Sequence, residues 1–329
     1  MVVVWFAFAC GPVAWAADTS VKPKQLVFIR YRIEPQHFQT VVDNFKRTMR
    51  LRGYEAGKHI EYIDVLTKTA NIHSVPEVIA AVEKYKGTAD MFVTCGWVSL
   101  YARELLKETK VPQLFVPVLE SVALKMLPSL KEEPATNLSG LYLMYPPEKI
   151  LRIAKFILPD IQNYAYVFDS AIPADVEFKA AYERLSRERL FDVKLHYFDL
   201  AAGVDKVLQQ LRENRIDAYG GIVGAFKHRK QLNKSGIPTI TSFTLDIDEA
   251  SIKAYVKDDL TLAGLFNPFG YCGEQAAHMA ADIFEGRKTI YQTRPQPARQ
   301  VAFVNLLAAE KMRKYISFEV IEAVDMVVR

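Results

Sequence analysis

The stretch Ala89-Asp90-Met91-Phe92-Val93-Thr94-Cys95-Gly96-Trp97-Val98-Ser99 constrains this chain more than any other. Met91 to Val93 are apolar and β-prone, the run stops at Thr94-Cys95-Gly96, and Val98, Leu100, Tyr101, Leu105 and Leu106 continue at helical spacing. That switch of period predicts a buried parallel strand feeding a helix through a tight turn. Such a turn lies at the carboxyl end of its strand, where open α/β sheets bind their ligands. Trp97 suits stacking on a planar ligand there, and suits packing at the opening of a helix equally well.

The same unit recurs along the chain. Residues 26–29 read as a strand, Glu34-Pro35 opens a helix with Phe38, Val41, Val42, Phe45 and Met49 on one face, and Arg52-Gly53 ends it. Residues 60–65 form the next strand, and Ser74-Val75-Pro76-Glu77 has the spacing of a capping box ahead of Val78, Ile79, Val82 and Tyr85. Residues 113–116 follow as a strand ended by Pro117. This βα repetition predicts a parallel sheet sheathed by helices.

After a break between Leu119 and Asn137 come a short strand at 141–144 and a helix from Pro146-Pro147-Glu148. A second series then runs through strands at 164–168, 193–198, 216–219 and 237–240, with helices near 174–189 and 204–212. The remaining pieces, a strand at 262–266, a helix at 273–284, a strand at 301–304 and helices at 307–311 and 318–327, are too few to fold alone. They are expected to complete the two earlier sheets by crossing back between them. A chain of 329 residues also exceeds the usual single core. The expected fold class is therefore α/β, with two Rossmann-like lobes of parallel sheet. Residues 24–144 plus 262–298 make lobe one, and 145–261 plus 299–329 make lobe two.

Composition excludes several function classes. The formal charge of +4 is spread among mixed signs, so it argues only weakly for a nucleic-acid or membrane-surface partner, and no nucleic acid is expected. Lys22-Pro23-Lys24 and Lys227-His228-Arg229-Lys230 are the densest basic clusters and read as solvated faces. Val2 to Cys10 is an apolar run too short to span a bilayer, and Ala14-Trp15-Ala16 before Ala17-Asp18 has the small-x-small form of a signal-peptidase site, although no Lys or Arg precedes the run. Residues 1–16 are therefore read as a signal peptide, and the mature chain as extracytoplasmic. Export leaves Cys95 and Cys272, which pair only if their turns meet.

Neither catalysis nor a cofactor is expected. Gly-x-Ser-x-Gly, Walker and zincin patterns are missing, and Gly220-Gly221-Ile222-Val223-Gly224 lacks dinucleotide-binding spacing. The six histidines are scattered; His73 and His196 read as surface or strand residues and His278 as a packed helical one. Asp258-Asp259 and Asp246-x-Asp248 read as solvated turns rather than a cation site.

A family resemblance sharpens this reading. Leu51-Arg52-Gly53-Tyr54-Glu55-Ala56-Gly57-Lys58-His59-Ile60 followed by 89–96 resembles the opening of the ABC-transporter substrate-binding family whose members include tryptophan- and tyrosine-binding proteins. Pro146-Pro147-Glu148-Lys149, Leu158-Pro159-Asp160, Gly273-Glu274-Gln275-Ala276-Ala277, Phe284-Glu285-Gly286-Arg287-Lys288 and Val304-Asn305-Leu306 are similar to its later landmarks, in the same order. The resemblance implies the type I periplasmic binding-protein fold, two lobes joined by three hinge crossovers. It also implies a monomer that closes on a small molecule, leading guess an aromatic amino acid or related carboxylate, and delivers it to an ABC permease. The alternative is a ligand-sensing module docking on a membrane receptor.

The turns expected to meet in the cleft are Tyr31 and Arg32 after the first strand, Thr94, Cys95, Gly96, Trp97 and Ser99 after the third, and Glu120 after the fourth. Lobe two is expected to add Tyr145, Asp169 and Gly221, with Asn267, Phe269 and Tyr271 at a crossover. Arg32 suits a carboxylate, because its planar fork binds two oxygens. Asp169 suits an ammonium group or a helix N-cap. The family's acidic Asp-Pro-Val-like turn is replaced by Pro117-Val118-Leu119-Glu120-Ser121-Val122, and its lobe-two Asn turns by Asp169-Ser170 and 220–224, so the amino acid does not follow from the resemblance.

Overall fold

Leu26, Val27, Phe28 and Ile29 are all fully buried, so the first strand has no polar face. That is the mark of a parallel strand covered by helices on both sides. The computed structural model describes residues 22–31, 38–68, 75–243 and 249–329. Residues 1–16, read above as a signal peptide, Arg32, Glu34-Pro35, His73, Ser74 and Asp246-x-Asp248 lie outside the described residues.

The first half runs β1 (Lys24–Tyr31), α1 (Gln39–Leu51), β2 (Ile60–Thr67), α2 (Val75–Tyr85), β3 (Met91–Thr94), α3 (Val98–Leu106), β4 (Gln113–Leu119), α4 (Glu120–Met126) and β5 (Leu138–Leu143). The second runs α5 (Pro147–Ile157), β6 (Asn163–Phe168), α6 (Pro173–Glu183), β7 (Lys194–Asp199), α7 (Val204–Glu213), β8 (Ala218–Gly220), α8 (Gly224–Lys227), α9 (Arg229–Leu232), β9 (Thr239–Phe243), α10 (Glu249–Val256) and β10 (Thr261–Phe266). The chain ends in α11 (Phe269–Phe284), β11 (Gln296–Pro297), β12 (Val301–Asn305), α12 (Leu306–Lys311), α13 (Phe318–Ala323) and β13 (Met326–Val328).

Two sheets result, one of order β11-β5-β4-β3-β1-β2 and one of order β13-β12-β10-β9-β8-β6-β7. Their described pairings are parallel, except that β10 and β12 run antiparallel. Strand order reverses between β1 and β3 in the first sheet and between β6 and β8 in the second. Loops leaving such a pair diverge to opposite faces and open a crevice at the carboxyl rim.

Of the departures from the sequence reading, four bear on how the sheets are joined and where the rims lie. Residues 261–266 pair with β9 and β12 in the second sheet, whereas lobe one was expected to begin again at 262. The second βα series continues through α10, and the crossing comes only after Phe266. Helix α11 starts at Phe269 instead of 273, so Phe269 and Tyr271 lie on its first turn. Strand β4 runs past Pro117 to Leu119, its register slipping between Phe115 and Val118, an irregularity that accommodates a residue with no N–H to give the ladder. The carboxyl end is a strand rather than a helix reaching 327, because the Asp325 carboxylate accepts the Ala302 N–H at 2.7 Å and draws 326–328 onto the sheet edge.

Three segments pass between the sheets: 144–146, 267–268 and 298–300. They are laced to one another. The Asn267 amide donates to the carbonyls of Ala298 (3.1 Å) and Arg299 (2.8 Å). Gln300 donates to the Met144 carbonyl at 2.8 Å and accepts from Lys149 at 2.7 Å. Asn267 is 1% exposed, so its bonds form away from competing water. Asn267→Ala strands two carbonyls and is expected to cost about 1–3 kcal/mol in urea unfolding, the usual penalty for unmade buried hydrogen bonds. An unchanged midpoint would show that the crossovers hold together without it.

Candidate functional site

The lobe-one rim is built by side chains that bind the backbone of its own turn. Ser99 donates to the Thr94 carbonyl at 3.0 Å, and the Gln113 amide donates to the Thr94 hydroxyl and the Ser99 carbonyl, each at 3.0 Å. Thr94, Ser99 and Gln113 are all 0% exposed. Cys95 is buried beside them, its N–H on the Ile29 carbonyl at 2.9 Å. The Tyr31 side chain is buried beside this turn, and burial pushes its hydroxyl pKa far up. Gly96 has φ +65°, and a Cβ there would lie 2.5 Å from the Tyr31 hydroxyl oxygen, so both backbone shape and space require glycine. The Trp97 ring is half-buried against two apolar clusters of this lobe, with the Lys125 ammonium 5.3 Å from its centroid.

Asp175, in the first turn of α6, organises the lobe-two rim. One carboxylate oxygen accepts the N–H groups of Asp169 (3.0 Å) and Gly224 (2.9 Å), and the other accepts that of Val223 (3.0 Å). The loops after β6 and β8 are thereby tied to one group that is 0% exposed. Burial pushes the Asp175 carboxyl above its ordinary range, opposed by those donors. A Cβ on Gly224 would come within 2.7 Å of the carboxylate, and one on Gly221 would strike the Val167 carbonyl. The Gly-rich run at 220–224 therefore permits close approach of neighbouring groups. The backbone N–H and C=O of Gly221 are both taken by the Thr241 hydroxyl. Asp169 accepts from Ala171 at 2.9 Å in a local turn, and Asp199 accepts from Ser170 (3.1 Å) and Ala201 (2.9 Å).

Between the lobes lies a cleft of about 120 Å³. Its lobe-one wall is Leu119, Glu120, Ser121 and Leu143, and its lobe-two wall is Glu177, Phe178 and Ala181 on one face of α6 with Arg184 just past its end. Tyr145, on the first crossover, joins them. The Tyr145 and Phe178 rings meet with centroids 5.4 Å apart and planes at 51°. Phe178 touches apolar clusters of both lobes.

The structure thus gathers the expected residues into separate groups. Glu120 and Tyr145 share the cleft, whereas Tyr31, Thr94, Cys95, Gly96, Trp97 and Ser99 form the lobe-one turn. Asp169 and Gly221 belong to the lobe-two rim, and Asn267 clasps the crossovers. Phe269 is 2% exposed in the lobe-one core, stacked on Phe38 at 5.5 Å. Tyr271 lies under the Arg299 guanidinium at 4.4 Å. Cys95 and Cys272 are both buried and not joined by a disulfide. Among the described residues no group of three or more His, Cys, Asp and Glu could hold a metal ion, and no helix is long and apolar enough to cross a membrane.

Sequence reasoning missed Asp175, Glu177, Phe178 and Arg184. The spacing of 177, 178, 181 and 184 marks one helix face, but nothing local told which face meets another lobe.

No protein-family model and no curated protein matches the sequence. Solved structures do match. A ligand-free, open substrate-binding protein with adhesive properties from Clostridium difficile superposes with TM-score 0.74 at 15% identity, over 94% of this chain and 99% of that one. A Streptococcus pneumoniae domain in complex with L-Trp gives 0.69 at 13% identity, over 93% and 100%. A dimeric lac repressor gives 0.54 at 10% identity, over 84% and 96%. The chain therefore has the two-lobed type I periplasmic binding-protein fold. That fold carries more than one function, so the activity must be argued from the site.

The Asp199 carboxyl lies below its ordinary range: burial raises it, but the N–H donors of Ala201 and Ser170 outweigh that. A depressed folded-state pKa contributes stability that is full above the unfolded value of about 3.9 and is lost as pH falls through the folded value. Asp199→Asn is expected to lower the denaturation midpoint at neutral pH, and that loss is expected to shrink as acid titrates the carboxylate. A loss that stays the same as the pH is lowered would assign Asp199 a role independent of its charge.

Proposed function

We propose that the protein is an extracytoplasmic solute-binding protein. It acts as a monomer without chemistry of its own, closing on a small amphoteric molecule with an aromatic or apolar body and passing it to an ABC permease. The observation that carries this reading is the cleft whose two walls belong to different lobes. Tyr145, Phe178, Leu119 and Leu143 offer an apolar, ring-lined seat. Glu120 and Glu177 suit an ammonium group and Arg184 a carboxylate. Among the described residues none of these three side chains has an ion-pair partner within 4.0 Å.

Closure gives these charges their effect. Glu120 and Arg184 are exposed in this structure, where water weakens their pull to about 1 kcal/mol per contact at 4 Å. Excluding water raises the same contact several-fold. A solute touching both walls therefore stabilises the closed form more than the open one, and only that difference drives closure. The likeness to a domain crystallised with L-Trp supports an aromatic amino acid as the first class to try.

A thermal-shift screen across amino acids, organic acids and nucleobases tests the reading, since a solute selective for the folded form raises the melting temperature. Tryptophan, tyrosine or phenylalanine is expected to do so. No shift with any class would remove the solute-binding function, and a shift confined to nucleobases would remove the amphoteric solute. Arg184→Ala is expected to weaken the active solute by roughly 10–100-fold in calorimetry, the worth of a charged hydrogen bond, with little change in melting temperature. Unchanged affinity would place the carboxylate elsewhere.

A further inference from the structure

Open α/β sheets take anions at the crevice where strand order reverses, because free backbone N–H groups converge there. In the second sheet that crevice lies between β6 and β8. The N–H groups of Asp169, after β6, and of Val223 and Gly224, after β8, do converge on a single group, each 2.9–3.0 Å from one of its two oxygens. What they meet is the Asp175 carboxylate. The group is completely buried, and Gly224 has no side chain to keep it away.

We propose that Asp175 is a specificity-determining residue, an internal anion that occupies the N–H cradle at the lobe-two crevice and so bars phosphate or carboxylate groups of a solute from it. Two neighbours reinforce the exclusion. Asp169 and Asp199 place further carboxylates on the same rim, each already bonded to a backbone N–H. An incoming anion would meet negative charge and find the three donors occupied.

Lobe one follows the same plan with neutral groups. Its reversal lies between β1 and β3, and there the N–H groups of Cys95 and Gly96 are taken by the carbonyls of Ile29 (2.9 Å) and Pro117 (3.1 Å). Neither of these N–H sets is open to a ligand. The inference rests on reading the inter-lobe cleft as the solute site, and it orients the solute: an anionic end lies toward Arg184, and the lobe-two crevice faces an uncharged or cationic part.

Chemical rescue tests the cradle without any solute. Thermal unfolding of the full chain is followed for wild type, Asp175→Ala and Asp175→Asn in sodium formate, in inorganic phosphate and in sodium chloride at equal ionic strength. Asp175→Ala should melt several degrees lower than wild type in chloride. Formate, a carboxylate small enough for the vacated space, should restore most of that loss. Wild type should be indifferent to the anion, and Asp175→Asn, which fills the space with an amide, should not be rescued.

Equal anion effects on all three proteins, or an Asp175→Ala that melts like wild type, would overturn the proposal. Should Asp175→Ala not fold in chloride, its refolding yield in formate gives the same answer: recovery supports the cradle, and none in formate or phosphate contradicts it. The solute screen stands apart. A chain that binds no solute yet shows formate rescue keeps the cradle and loses the solute-binding function, and the converse result loses the cradle alone.

Discussion

Three segments of chain connect two sheets that bury their faces independently, and the Asn267 amide largely decides how those segments lie against each other. Its two bonds, to Ala298 and Arg299, join the second crossover to the third. Gln300 then joins the third to the first through Met144. Each lobe packs around its own apolar clusters, so rotation about this clasp disturbs few core contacts. Among the described residues Phe178 is the exception, touching clusters on both sides and standing in the cleft wall. A hinge that is stiff along its length and thinly bridged beyond it suits a molecule that opens and closes as two bodies.

What the lobes present to a solute follows from how their rims are held. Both crevices satisfy their own backbone donors, through the Ile29 and Pro117 carbonyls in one lobe and Asp175 in the other. An unsatisfied buried N–H costs a few kcal/mol at most, which is comparable to a single ligand contact. A rim already bonded internally holds its shape when empty. On the function proposed above, recognition falls to side chains on the facing walls, with Glu120 and Arg184 exposed and Tyr145 already packed on Phe178.

The βα alternation was legible because parallel strands covered on both sides leave uninterrupted apolar runs, such as those at 26–29 and 91–93. That the late pieces cross back between the two sheets was expected because they are too few to fold alone. The crossover after Phe266 was misplaced, since a strand does not announce which sheet it joins and 261–266 would have fitted either. At the site, the turn at Thr94-Cys95-Gly96-Trp97 was found, but its polar groups are bonded within the turn, which depends on Gln113 in a different strand. Asp175 was invisible for the same reason: its three donors come from residues 6, 48 and 49 positions away. Long-range hydrogen bonds leave no periodic trace in a sequence.

Closure between lobes is the claim on which the rest depends, and a distance across the cleft measures it. Leu124 on α4 and Glu188 beyond α6 are both exposed and lie outside the cleft walls, one on each lobe, so labels there report the gap without occupying it. Pulsed electron-resonance distances between the two labels should shorten when the solute that raises the melting temperature is added, and should not change with a solute that does not. Saturating the protein with that solute and finding the same distance distribution would contradict the account.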